Sequence, residues 1–207
     1  MSDFINLLKT RRSANKFEEG VTISHKELEE MFSLVKFAPS AFNLQHVHYL
    51  AVTDEQLKEK IYESTKQYKV HTSSAVIVVV GDLRAYQDVA RINQGFLDLG
   101  ILSKQEYDRE IEVVTSFYEG RGPVFQKEEA IRNGSLSAML FMLIAKEKGW
   151  DTCPMIGYDP QEISEILEIP EGKIPVMMIT LGKEDTTKQR PRGYRKPTGE
   201  FVRFNKF

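Results

Sequence analysis

Four short segments, far apart in the chain, carry side chains suited to one kind of ligand. The first holds Arg11, Arg12, Ser13 and Asn15, and the last is the basic run RPRGYRKP from Arg190 to Pro197, with Arg192 and Arg195 in it. Guanidinium groups grip phosphate through two parallel hydrogen bonds, and hydroxyls and amides complete such a site. Between them lie APSAFNLQ, offering Ser40, Asn43 and Gln45 after the Pro39 turn, and CPMIG, in which Pro154 and Gly157 are expected to keep the backbone irregular and its N–H groups free to face a flat heterocycle. Each segment also has a plain reading: arginines that complement a helix dipole, or ordinary turn residues. Together, in this order, they point to a phosphorylated, planar ligand.

Several other chemistries lack their residues. No G-x-G-x-x-G or G-x-x-x-x-G-K-[ST] is present, which argues against a Rossmann or P-loop nucleotide site, and no G-x-S-x-G marks a hydrolase elbow. His46 and His48 alternate on one face of an expected strand, but no second ligand pair accompanies them, so no metal site is expected. The single cysteine, Cys153, reads as a small packed residue rather than a nucleophile.

The elements that must position these segments follow from periodicity and capping. A short helix is predicted over Asp3 to Lys9. A second begins at Ser24, whose pairing with Glu27 forms a capping box, and carries Leu28, Met31, Phe32 and Val35 on one stripe before stopping ahead of Pro39. A strand over His46 to Thr53 precedes a helix capped by Thr53 and bearing Leu57, Ile61 and Tyr62. Ser74 to Gly81 is rich in β-branched residues and reads as a central strand buried on both faces. Residues 84–119 read as a helical pair, the second member capped by Ser103 with Glu106. After the turn EGRGP comes the longest helix, from about Lys127 to Lys148, with Leu136, Met139, Leu140 and Leu143 as its expected buried stripe. A helix at Asp159-Pro160 and a strand over Pro175 to Gly182 complete an α+β pattern.

Length and composition fit this reading. The 207 residues, 41% hydrophobic and 28% charged, suit one domain with a proper core. A net charge of −2 invites neither nucleic acid nor an anionic membrane, and no apolar run approaches the ~18 residues that would span a bilayer. A lone cysteine and no recognisable leader make the expected location cytoplasmic. Residues 183–207 hold eight Lys/Arg against three Asp/Glu, a local +5, yet also Phe201, Val202, Phe204 and Phe207, so this arm is expected to dock on something, such as a second subunit.

These segments resemble those of FMN-dependent nitroreductases, and the resemblance covers nearly the whole chain; APSAFNLQH, AIRNGSLSAM and CPMIGYDP are most similar to members of the methylhydroquinone-resistance type. The resemblance implies an α+β nitroreductase-like fold: a central, mostly antiparallel sheet surrounded by helices, in one domain over residues 1–207. It also implies a helical insertion at 84–119 over the active site, and a homodimer with a C-terminal arm at 183–207 lying on the partner. It assigns Arg11, Arg12, Ser13 and Asn15 to the FMN phosphate and ribityl chain, with Arg192 and Arg195 closing on the phosphate. Pro39, Ser40, Asn43 and Gln45 would reach FMN from the other subunit. Gln67 and Lys69 would face the pyrimidine edge, with Lys69 lending electrostatic support, and Pro154, Met155, Ile156 and Gly157 would bring backbone near flavin N5.

The implied activity is ping-pong hydride transfer through flavin N5, from NADH or NADPH to a quinone, nitroaromatic or related small aromatic acceptor, with no side chain acting as acid or base. Alternatives are a flavin-binding carrier or sensor without turnover, and a different flavin chemistry on the same scaffold. The chain departs from the family pattern at Asn15, where many members have a basic residue, and at His46-Val47, where most have proline then tryptophan; the flavin-facing wall is expected to differ there.

Overall fold

A computed structural model of the chain describes residues 3–189 and 191–207, with the side chain of residue 188 left aside; of the basic segment, Arg190 lies outside the described residues. In chain order the elements are α1 (Asp3–Thr10), α2 (His25–Val35), β1 (Val47–Val52), α3 (Glu55–Thr65), α4 (Tyr68–Thr72), β2 (Ala75–Asp82), α5 (Val89–Asp98), α6 (Lys104–Glu147), β3 (Asp151–Met155), α7 (Pro160–Ile166), β4 (Lys173–Gly182) and α8 (Thr198–Phe201). The four strands form one sheet in the order β1-β2-β4-β3, antiparallel at every step. This is the α+β fold expected from the sequence.

The sheet is covered on both faces, and β2 shows why its sequence is apolar at every position. Ala75, Ile77 and Val79 turn to one side, where α2 supplies Leu28, Met31 and Val35 and α6 supplies Ala138, Phe141, Met142 and Ala145. Val76, Val78 and Val80 turn to the other, against Ile61 of α3, Val70 of α4 and Ile163 of α7. Side chains alternate along a strand, so a central strand between two helical layers has no polar face to show water. Both expected capping boxes are present, Ser24 with Glu27 and Ser103 with Glu106, each contributing about 1 kcal/mol to its helix start.

Four boundaries differ from the sequence reading. The cap of α3 is Asp54, not Thr53: the Asp54 carboxylate accepts the Leu57 amide hydrogen at 2.8 Å. β4 begins at Lys173, two residues before Pro175, and a bulge opposite Val79 and Val80 accommodates that proline. Residues 151–155, expected as irregular loop, are strand β3; Pro154 fits because β3 is an edge strand, where a missing N–H costs no ladder bond. The helix expected from about Lys127 runs on from Lys104, broken at Gly122, whose φ of 73° and ψ of −175° bend the chain and let Pro123 open a new segment.

The long helix also buries a different stripe. Gly134, Ala138, Phe141, Met142 and Ala145 face the sheet, whereas Leu136 and Met139 are exposed and Leu140 and Leu143 half-buried. Close approach selects the small residues. A Cβ on Gly81 would meet Val176 Cγ2 at 2.9 Å and Ala130 Cβ at 3.0 Å, and one on Gly134 would meet Val176 Cγ1 at 3.1 Å. Leucines at this crossing would push α6 off the sheet, so they face outward.

Candidate active site

The N-terminal segment reaches the sheet by pairing with its edge. Ala14 donates its N–H to the Thr152 carbonyl at 3.0 Å, and Ser13 bridges Thr152 in parallel register. Further on, Phe17 bridges Glu184 and packs its ring where a side chain on Gly182 would otherwise stand. Arg11 is thereby fixed beside Cys153 on β3. From the other end of the chain Arg192 Nη2 donates to the Lys9 carbonyl at 2.5 Å and the Arg11 carbonyl at 2.9 Å. Arg195 lies near enough for its charge to act on Arg11.

The outcome is a cluster of like charges. The Arg11 guanidinium is held below its ordinary range, by desolvation first and then by Arg192 and Arg195, with Cys153 opposing. Its Nη1 atom is buried and makes no hydrogen bond. An unsatisfied buried donor costs about 1–3 kcal/mol, more when charged, and convergent cations add repulsion. An anion bound there would relieve both. Arg12 is half-buried nearby, and Ser13 and Asn15 are exposed beside it.

Along the same edge α4 brings its start against the loop after β3. Gln67 Nε2 donates to the Gly157 carbonyl at 2.9 Å, and Lys69 Nζ donates to Cys153 Sγ at 3.2 Å. A Cβ at Gly157 would stand 3.1 Å from Gln67 Nε2, so the glycine keeps that backbone open. Pro154 is half-buried and Met155 buried in β3, while Ile156, 80% exposed, and Gly157 form a bare ledge beyond the strand. Thus Arg11, Arg12, Ser13, Asn15, Gln67, Lys69, Pro154, Met155, Ile156, Gly157, Arg192 and Arg195 line one sheet edge, with positive charge at one end and exposed backbone at the other.

The remaining expected residues, Pro39, Ser40, Asn43 and Gln45, belong to a separate loop between α2 and β1. Leaving Arg12 aside, no hydrogen bond or ion pair among the described residues joins the two groups. The loop has unusual backbone: Phe42, Asn43 and Gln45 all lie in the left-handed region, with φ of 50°, 55° and 50°. That region costs a non-glycine residue roughly 1 kcal/mol or more, and such strain gathers at functional sites. Pro39, Ser40 and Gln45 line a cavity with Phe32, Tyr49 and Asn133. The loop's Phe42 ring, half exposed, meets Phe117 of α6 edge-on at 5.6 Å, so the 84–119 region stands against the loop.

Two residues here, Asn133 and Tyr118, were not singled out from sequence, and a third, Cys153, has a contact the sequence did not suggest. Asn133 grips the loop: its Oδ1 accepts the Ala41 N–H at 2.9 Å. A polar residue beside Gly134 on a buried helical face was the available signal. Tyr118, fully buried, meets His46 Nε2 at 3.2 Å. Cys153 is buried as expected, but it also accepts the Lys69 hydrogen bond. Among the described residues no cluster of His, Cys, Asp or Glu could hold a metal ion and no helix is long and apolar enough to cross a membrane.

The Nitroreductase family pattern matches residues 8–183. MhqN of Bacillus subtilis (strain 168), provisionally named an NAD(P)H nitroreductase, is 56% identical over 205 residues, covering 99% of this chain and 100% of that protein. A Bacillus subtilis crystal structure, provisionally named nitroreductase ydfN, superimposes with a TM-score of 0.96 at 54% identity, covering 98% of each chain. A nitroreductase structure from Exiguobacterium sibiricum, so named provisionally and described as in complex with FMN, gives a TM-score of 0.88 at 28% identity, covering 99% of this chain and 98% of that one. The match over most of the length establishes that the chain belongs to the nitroreductase family of oxidoreductases.

Proposed function

We propose that the protein is an FMN-dependent NAD(P)H oxidoreductase that reduces quinones, nitroaromatics or related small acceptors, working as a cytoplasmic homodimer. The observation that carries this reading is the knot of Arg11, Arg192 and Arg195, with a buried donor on Arg11 left unsatisfied. The residues fit FMN in character: cations for a phosphate, an exposed backbone ledge for a flat ring, an amide and an ammonium between them.

When bound, FMN would accept hydride from a reduced nicotinamide and pass it to the acceptor in a second, separate encounter. The chain's own work is binding and orientation. Arg11, Arg192 and Arg195 hold the phosphate, with Arg12, Ser13 and Asn15 along the ribityl chain. Gln67 and Lys69 stand at the pyrimidine edge, where the Lys69 ammonium favours any negative charge that develops. Ile156 and Gly157 offer backbone beside the ring, with Pro154 and Met155 fixing its strand. Pro39, Ser40, Asn43 and Gln45 are supplied by the second subunit, which accounts for their separation from the first group within one chain.

Exposed apolar surface supports the dimer. α1 buries none of its residues and shows Phe4 and Leu8, α6 shows Leu136 and Met139, and the C-terminal arm shows Phe201, Phe204 and Phe207. Large apolar side chains left exposed on a helix and on a terminal arm are what a subunit interface would cover.

The visible spectrum of the protein, purified and reconstituted with FMN, tests the reading. The expected result is a flavin band that bleaches anaerobically with NADH or NADPH and returns on adding a quinone. A colourless protein that cannot be loaded would overturn flavin binding. A band that persists with both nucleotides would leave a carrier or sensor in place of the enzyme.

A further inference from the structure

We propose that Asn133 of α6 is a positioning residue that holds the strained loop 38–45 in its flavin-binding form. The inference rests on the reading above in taking Ser40, Asn43 and Gln45 as flavin contacts. Asn133 itself is 3% exposed and sits 92 positions along the chain from the residue it holds.

Its amide is fully used and its orientation is fixed by its neighbours. Nδ2 donates to the Glu129 carbonyl at 2.7 Å and to Glu129 Oε2 at 3.3 Å, which leaves Oδ1 for the Ala41 N–H. Rotating the amide by half a turn would set an acceptor against two acceptors and a donor against a donor. Glu129 is itself buried and paired with Arg132, so the anchor is a braced side chain on a rigid helix. Inside the loop the Ser40 hydroxyl accepts the Gln45 N–H at 3.0 Å, closing the span that contains the left-handed residues.

Backbone in a sparsely populated conformation persists only when its surroundings over-determine it. Packing of the Phe42 ring on Phe117 and burial of Leu44 seat the loop, but neither is directional; the Asn133 bond at Ala41, immediately before Phe42, fixes the backbone itself. Without it the loop relaxes toward ordinary conformers, and the fraction competent to meet flavin falls. Apparent affinity falls by the same factor, so a loop competent about one-tenth of the time raises the FMN dissociation constant about tenfold.

The test compares Asn133→Ala with Met142→Ala, a truncation on the same helix in a core cluster that contains no residue of the loop. Two quantities are read on full-length protein: amide hydrogen exchange at Ala41 and Gln45 without flavin, and the FMN dissociation constant by fluorescence. The expected result is faster exchange at both amides and roughly tenfold weaker FMN binding in Asn133→Ala alone. Met142→Ala should lower thermal stability at least as much and leave both readouts near wild type. Parallel changes in the two variants, scaling with lost stability, would overturn a positioning role, as would unchanged exchange and affinity in Asn133→Ala. If the wild type bound no FMN, the functional reading would fail, while the exchange comparison would still decide whether Asn133 holds the loop.

Discussion

His46 makes folding sensitive to mild acid, and the size of the effect can be worked out. The residue is 1% exposed, its Nδ1 is buried with no partner, and Nε2 meets only the Tyr118 hydroxyl. Burial pushes its imidazole down from 6.5 to about 4, against a weaker upward pull from Asp82. As pH falls below 6.5 the unfolded chain takes up a proton that the folded chain refuses until about pH 4. Stability therefore falls across that window as pH falls, and is fully present above it. At pH 5 the folded-to-unfolded ratio is lowered about 30-fold by this one group, or about 2 kcal/mol. The measurement is urea unfolding of wild type and His46→Gln at about pH 8 and pH 5, at one subunit concentration and one FMN concentration so that binding linkage cancels. The wild type should lose about 2 kcal/mol more than the variant over this interval. A difference that stays within about 0.5 kcal/mol, or a His46 ring resonance titrating near its ordinary value, would refute the reasoning.

Two further outcomes follow from the charge cluster and the arm. On the proposed function, Arg11→Ala would remove a charged hydrogen bond to phosphate, worth about 1.5–3 kcal/mol, so the FMN dissociation constant should rise roughly ten- to 150-fold; an unaltered constant would remove Arg11 from the site. Deleting residues 200–207 takes away Phe201, Phe204 and Phe207, all exposed on the single chain. Sedimentation equilibrium should then show weaker self-association, and an unchanged dimer would count against an arm docked on the partner.

Much of the architecture was legible because local rules decided it. Ser24 with Glu27, Ser103 with Glu106 and the apolar run after Ser74 each set an element by chemistry within a few residues. The segments around Arg11, Gln67, Gly157 and Arg192 were grouped by residue type and by the family resemblance, but the contacts that join them were not legible. Nothing in their spacing says that Ala14 bonds to Thr152 or that Arg192 caps the Lys9 and Arg11 carbonyls. β3 was missed because proline ordinarily argues against a strand, and its edge position depends on the whole sheet order. The left-handed backbone of Phe42 was hidden for a similar reason. No glycine marks it, and the residues it meets, Asn133 beside it at Ala41 and Phe117 against its ring, lie far along the chain.

The misread stripe of α6 explains most about how the molecule is built. Periodicity finds an apolar face on a helix but does not say what that face meets. On α6 two faces compete. One is small where the helix crosses the sheet, with Gly134 and Ala138 there and Phe141 and Met142 beyond, and the other is bulky throughout, with Leu136 and Met139. Hydrophobicity alone favours burying the bulky face on the sheet. Geometry reverses that choice, because Gly81 and Val176 leave no room for a larger residue at the crossing. The small face therefore packs inward, which brings Asn133 within reach of Ala41 and leaves the leucine and methionine facing away from the sheet. One steric decision at a glycine crossing thus orients the helix, places the loop anchor and leaves Leu136 and Met139 exposed on the opposite face.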